Sequence, residues 1–403
     1  MTTPSPHVIG LTGSFGSGCT YVAQNILQTG RGYKCISLSN DILKPLFREK
    51  TGKDPSQCLR HELQEFGDEI RQDASKGSGY LADEAIRKIN SAKDPNGTWV
   101  VDSIKNPAEI HSLRSYFPNF FLLGVHAERE TRWTRSQKKY KGNWQAFNDD
   151  DSNDTGDDNP IHGQRVGDCF YESDIVITNQ TDFTEVGNIE FTKFSEKLFQ
   201  YVDLLQKPLG RQQPLKHDEA LMAMAYAMSQ RSSCLQRKVG ALIADDQGNI
   251  ISSGYNEVPP DETPCVKEYT KCHRKWLIDN FFATLSDALP EAKGKEGQLK
   301  SLFRKQFKIL DYCRALHAEE NALMNLVRHG KSISLERCTL YTTTYPCRMC
   351  ANKIVKSGIR NIVYIEPYPD EAAKQILEHA GVKWKFFEGV TYRSYFRLYG
   401  EEK

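Results

Sequence analysis

Three features are scarce in this 403-residue chain: an excess of either charge, a long apolar run, and an even set of cysteines. Lysine and arginine total 53 against 52 aspartate and glutamate, a formal net charge of +1. That balance lacks the basic excess expected of a protein that must neutralise many phosphates of a polymer, although it leaves a local basic patch open. The lack of a long apolar run leaves nothing to span a membrane. The start passes from a few polar residues into a core-like strand without a cationic segment and apolar stretch, so no secretory signal is expected. Eleven cysteines form an odd set that fits a reducing cytosol better than a disulfide framework, and a cytoplasmic location is expected. With 26% charged residues, the length favours two soluble globular domains.

What is present is a spacing with chemistry in it. His317-Ala318-Glu319 is followed by Pro346-Cys347-Arg348-Met349-Cys350, the H-x-E…P-C-x-x-C pattern of zinc hydrolytic deaminases. Catalytic zinc takes three nitrogen or sulfur ligands and keeps its fourth position for water, and His317, Cys347 and Cys350 supply three. The cysteines are three apart, so both fit one face of a helical turn starting after Pro346, where the helix dipole favours thiolates. Bound zinc lowers the pKa of its water from about 15.7 to about 7. Glu319 is not needed as a ligand and is read as the proton shuttle, serving the attacking water, the cytosine ring nitrogen and the departing amine. A lone C-x-x-C is as often a structural zinc knuckle or a redox pair. The histidine and glutamate placed about thirty residues upstream, across the strand-like Cys338–Thr343, favour catalysis.

A second spacing lies near the N-terminus. The strand-like His7–Thr12 runs into Gly13-Ser14-Phe15-Gly16-Ser17-Gly18-Cys19-Thr20, a phosphate-loop spacing with a defect. Gly13, Gly16 and Gly18 would let backbone amides curl around phosphate, and Thr20 stands where magnesium would be met. Cys19 occupies the place of the lysine that reaches the β and γ phosphates. Nucleotide binding, with Mg²⁺, is therefore expected to survive better than phosphoryl transfer. Strand-like segments at Trp99–Ile104, Phe120–Val125 and Asp174–Asn179 alternate with helical ones, as in a parallel α/β sheet. Arg129, Arg132 and Arg135 on one helix are either phosphate contacts or a solvated face.

These readings divide the chain into a nucleotide-binding domain over 1–206, a linker over 207–216 rich in proline and glutamine, and a second domain over 217–403. The second domain reads α-β-β-α-β-α-β-α-β, from a helix at His217–Ser229 to a strand at Val382–Phe387. The acidic stretch Asn148–Pro160 is expected to be a mobile loop, and lysine-rich Lys293–Lys305 a solvated, mobile segment.

Gly254-Tyr255-Asn256, Cys313-Arg314-Ala315-Leu316-His317-Ala318-Glu319-Glu320-Asn321-Ala322 and the Pro346–Cys350 block resemble those of deoxycytidylate deaminases. The resemblance implies a cytidine deaminase-like α/β/α domain and places Asn256 in the nucleoside pocket; the alternative is an ordinary turn residue after a strand. A long insertion after Asn256 replaces the family's short loop, so phosphate-contacting residues cannot be carried over. The insertion holds Cys265, Cys272 and His273 and is closed by Cys313. Related deaminases often carry a second, closed zinc site, and these four are one reading of it; reduced, buried cysteines are the other.

The N-terminal half resembles P-loop nucleoside monophosphate kinases. As a fusion the chain is similar to bacterial anti-phage deoxycytidine nucleotide deaminases. That resemblance implies conversion of free dCTP or dCMP to deoxyuridine nucleotides, depleting dCTP for phage replication. It also implies homo-oligomers, a sensing or restraining N-terminal domain, and control by a small RNA or a phage-derived trigger. Two rival readings stand beside it: a polynucleotide base deaminase acting on tRNA or single-stranded DNA, and a catalytically silent nucleotide-binding regulator.

Overall fold

The computed structural model describes residues 5–58, 60–155, 163–181, 189–206, 216–269, 271–289, 291, 294–306, 309–328, 333–365 and 371–399. Among them strands β1 (His7–Thr12), β2 (Lys34–Ser37), β3 (Thr98–Ile104), β4 (Phe120–His126), β5 (Ile175–Thr178), β6 (Gly240–Ala244), β7 (Ile250–Tyr255), β8 (Thr339–Thr342), β9 (Asn361–Tyr364), β10 (Lys383–Phe386) and β11 (Gly389–Val390) form two sheets. The chain divides into two compact units. One holds the described parts of 1–219 with Ile365 and 386–399; the other holds the described parts of 220–364 with 371–385.

In the first unit the strand order is β11-β5-β4-β1-β3-β2. The five strands from β5 to β2 run parallel, and β11 closes the edge antiparallel to β5. The apolar runs in the sequence explain this: every residue of β4 is buried, as a parallel sheet covered on both faces requires. Side chains alternate between two cores, with Val8, Val101 and Leu122 in one and Ile9, Val100 and Leu123 in the other. The two-residue period of a strand produces that split.

Two expectations are corrected here. Residues 386–399 do not close the second unit. β11 extends the first sheet, Thr391 Oγ1 donates to Ser173 O at 2.6 Å, and Leu398 is fully buried in the first unit's core. The acidic stretch is not a loop over its described part, because 148–155 falls in helix Trp144–Thr155. There Phe147 and Asp151 are buried, Asp151 pairs with Arg132, and Tyr140 donates to Asp150 at 2.6 Å, so cations and a phenol offset the charge. Residues 156–160, and 207–215 of the expected linker, lie outside the described residues.

The second unit's sheet has the order β10-β9-β8-β6-β7, with β6 antiparallel to β7 and β8, and β8 parallel to β9. Helix Ala318–Arg328 lies tightly on β7: Ser252 Oγ donates to Ala322 O at 2.7 Å, and Asn321 and Asn325 donate to Tyr255 O and Ser253 O at 2.7 and 2.9 Å. Gly254 permits this approach, since a Cβ there would stand 2.3 Å from Ala318 O. Within the insertion, the described part of the lysine-rich stretch is mostly helical rather than irregular, and Lys293 lies outside the described residues. Helix Glu296–Gln306 packs on helix His273–Ala288 through Phe303 against Phe281 and Phe282, and Lys300 pairs with Asp279 at 2.8 Å. No helix among the described residues is long and apolar enough to cross a membrane.

Candidate functional site

Two elements of the second unit bring the motif residues together. His317 immediately precedes helix Ala318–Arg328, and Glu319 lies in its first turn. Cys347 caps helix Arg348–Ser357, its carbonyl accepting from Ala351 N–H at 2.8 Å, and Cys350 sits in the first turn. The Pro346 start and the three-residue spacing therefore place both sulfurs at one helix end, where the dipole favours negative charge.

His317 Nδ1 lies 3.3 Å from Cys347 Sγ and 3.4 Å from Cys350 Sγ. Tetrahedral zinc with bonds near 2.05 Å to nitrogen and 2.3 Å to sulfur would set such atoms about 3.5 Å apart, so the donor set fits zinc. Among the described residues these three form the one group of potential ligands whose atoms all lie within 4.8 Å of one another. Glu319 Oε2 accepts from Cys350 Sγ at 3.7 Å. The carboxyl is 3% exposed, and burial pushes it up to about 7.

Hydrogen bonds shape the cluster's charge. The bond with Cys350 holds the Cys347 thiol down to about 4, against burial and with help from His317. The same bond, with burial, pushes Cys350 up. His317 is raised to about 10, first by its hydrogen bond with Cys313 and then by that with Cys347. Filling the site with a metal must release protons from such a network.

Cys313 was the missed neighbour. Sequence spacing groups it with Cys265, Cys272 and His273 as one reading of a second zinc set; it lies beside His317, four residues on, and together with Cys272 and His273 it also acts on the Cys265 thiol. Among the described residues those four candidates bring no three ligand atoms within 4.8 Å. Cys265 opens helix Cys265–Glu268, Cys272 precedes helix His273–Ala288, and the His273 ring stacks near Trp276 with centroids 5.9 Å apart. Proximity of Cys313 to His317 in the sequence was the available signal.

Asn256 follows β7 and is 8% exposed. Its Oδ1 accepts from Val239 N–H at 2.7 Å and its Nδ2 donates to Arg237 O at 2.8 Å. The amide thus clamps the 237–239 backbone.

In the first unit, Gly13, Gly16, Gly18 and Thr20 line a cavity of about 620 Å³ together with Lys105 and Arg135. Gly16 and Gly18 have φ of +83° and +95°, a backbone that side chains rarely tolerate. Thr20 Oγ1 donates to Asp102 Oδ2 at 2.7 Å, and the other oxygen of buried Asp102 has no hydrogen-bond partner. Burial pushes the Cys19 thiol up to about 12, so it carries no charge near neutral pH. The helix arginines are tied to protein partners, Arg129 donating to Asp151 Oδ2 at 3.2 Å. Arg132 donates to Phe15 O at 3.2 Å, and Arg135 to Gly16 O at 3.0 Å and Thr181 O at 2.6 Å, so they brace the glycine loop from its carbonyl side.

Residues 215–366 match the cytidine and deoxycytidylate deaminase zinc-binding region. The deoxycytidylate deaminase of Enterobacteria phage T4 is 33% identical over 40% of this chain and 86% of its own length. The human deoxycytidylate deaminase is 28% identical over 43% of this chain and 80% of its own. The dCMP deaminase of cyanophage S-TIM5, solved with dCMP and dUMP, covers 43% of this chain and all of its own at 23% identity, with a TM-score of 0.29.

Proposed function

The chain belongs to the family of cytidine and deoxycytidylate deaminases, and from that premise we propose that His317, Cys347 and Cys350 hold a catalytic zinc ion while Glu319 moves protons in the hydrolysis of free deoxycytidine nucleotides. Family membership makes the chain a deaminase of the hydrolase class, acting on dCMP-type nucleotides. The observation that carries the assignment of roles is one imidazole nitrogen 3.3 and 3.4 Å from two thiols, with a buried carboxyl in the adjoining helical turn.

When bound, zinc supplies a water acidic enough to lose a proton near neutral pH. Glu319 takes a proton from the attacking water, delivers one to the cytosine ring nitrogen, and then passes one to the amine at C4. A C4–O bond forms, the C4–N bond breaks, and ammonia leaves a uracil ring. Exclusion of water around Glu319 strengthens its interaction with charge developing at the ring. Asn256 holds the wall after β7 in place and acts on substrate through that backbone.

We read the first unit as a degenerate P-loop, nucleoside monophosphate kinase-like domain that binds a nucleoside di- or triphosphate with Mg²⁺ without transferring phosphate. Support comes from the left-handed backbone at Gly16 and Gly18, the Thr20–Asp102 bond and the uncharged Cys19. Resemblance of the two-part chain to anti-phage deoxycytidine nucleotide deaminases extends the substrates to dCTP, the role to its depletion during infection, and the assembly to a homo-oligomer.

Comparison of kcat/KM for dCMP, dCDP, dCTP, single-stranded DNA and RNA with the full chain tests this reading. Turnover of the free nucleotides is expected. Uracil formed only in polymers would overturn the substrate class.

A further inference from the structure

β1 and β3 are parallel neighbours, and Thr12 and Ile104 pair at their ends. The residues that follow, Gly13–Thr20 after one strand and Lys105 after the other, therefore emerge side by side from the same edge of the sheet. Lys105 Nζ donates to Gly13 O at 2.9 Å and lines the same cavity as Gly16 and Thr20. Its position is fixed from behind: its N–H donates to Glu109 Oε2 at 2.8 Å, and its carbonyl accepts from Arg165 N–H at 2.8 Å. Glu109 is fully buried and paired with Arg71 at 2.9 Å.

A phosphate loop needs a cation at its floor, and position 19 holds a neutral thiol. A Cβ on Gly13 would stand 2.8 Å from Cys19 Sγ, so the Lys105 anchor and the vacated lysine position adjoin the same residue. The Lys105 charge acts on both Cys19 and Asp102. Other cations around the cavity have different tasks: Lys44 donates to Asn40 Oδ1 at 2.7 Å, Arg60 and Lys139 lie 4.1 and 4.7 Å from the Phe15 ring centroid, Arg71 pairs with Glu109, and Arg135 braces loop carbonyls.

We propose that Lys105 is the phosphate-contacting cation of the first unit, standing in from the end of β3 for the lysine absent at position 19 and exchanging Gly13 O for a phosphate oxygen of a nucleoside di- or triphosphate. This inference rests on the reading of that loop as a nucleotide site. It also separates charge from loop: the cation is carried by a neighbouring strand, so polyphosphate is gripped without the loop's own lysine.

Binding of Mg·ATP and of inorganic tripolyphosphate to the full-length protein, measured by equilibrium dialysis, tests it. Lys105→Met should weaken both about tenfold or more, the scale of a lost charge-assisted hydrogen bond. Lys105→Arg should stay near wild type. Lys105→Gln serves the same comparison should the methionine variant fail to fold. Wild-type binding with no loss in the methionine or glutamine variant overturns the role of Lys105 and leaves the nucleotide site standing. Failure of wild-type protein to bind either probe overturns the nucleotide reading and this inference together.

Discussion

Replacing Asn256 by alanine distinguishes a side chain that holds the fold from one that only touches substrate. Asn256 satisfies Val239 N–H and Arg237 C=O at 2.7 and 2.8 Å, and its own carbonyl accepts from Ser232 Oγ at 2.6 Å. Truncation removes the first two bonds and leaves the third. A buried polar group stripped of its partner costs about 1–3 kcal/mol; Arg237 and Val239 are half-buried, so the two losses together should cost about 2–3 kcal/mol. For a unit of roughly 150–250 residues each kcal/mol moves the midpoint by about 2–4 °C. The transition of the deaminase unit should therefore fall by roughly 4–12 °C in scanning calorimetry. Asn256→Asp should suffer similarly, because it turns a donor facing Arg237 O into an acceptor. A raised KM with the melting transition within about 1 °C of wild type would refute the clamp and make Asn256 a substrate contact alone.

Glu319→Gln should retain zinc by elemental analysis and lose about 10² to 10⁴ in kcat, the usual scale of a general acid and base; full turnover would remove Glu319 from the proton path. Asp151→Ala should lower stability to urea by about 3–5 kcal/mol, because Arg132 is left buried without its carboxylate. Loss within experimental error would show that solvent reaches Arg132. Burial holds His126 down to about 3 from an ordinary 6.5, with Arg132 adding to the effect. The unfolded chain then binds the extra proton, so this contribution is complete above pH 6.5 and is lost as pH falls toward 3, amounting to roughly 5 kcal/mol at 1.36 kcal/mol per unit. His126→Phe should flatten that acid limb in denaturant titrations at several pH values; an unchanged limb would place the acid sensitivity elsewhere.

The meeting of His317, Cys347 and Cys350 was legible because short spacings bring these residues together. Cys347 and Cys350 need one helical turn, and His317 and Glu319 one helix start. The apolar runs of β1, β3 and β4 likewise announced a covered parallel sheet. Charge misled where partners were distant in sequence. Asp151 is acidic and buried because Arg132 reaches it from another helix, and Lys300 sits on a packed helix with Asp279 facing it. β11 is two residues long and has no period to read; its place follows from pairing with β5, more than two hundred residues earlier. That Cys313 sits beside His317 was not read from spacing, because spacing alone does not say which neighbours a thiol meets; it acts on both His317 and Cys265. Lys105 was invisible as a loop partner for the same reason, since only the register of β1 against β3 sets it beside Gly13.

Metal removal and return, followed by the ammonia released from dCMP, tests the zinc assignment most directly. Chelated protein should lose deamination, stoichiometric zinc should restore it, and Cys347→Ser protein should neither hold the ion nor recover. Turnover that survives chelation, or its absence from fully zinc-loaded wild-type protein, would contradict the account.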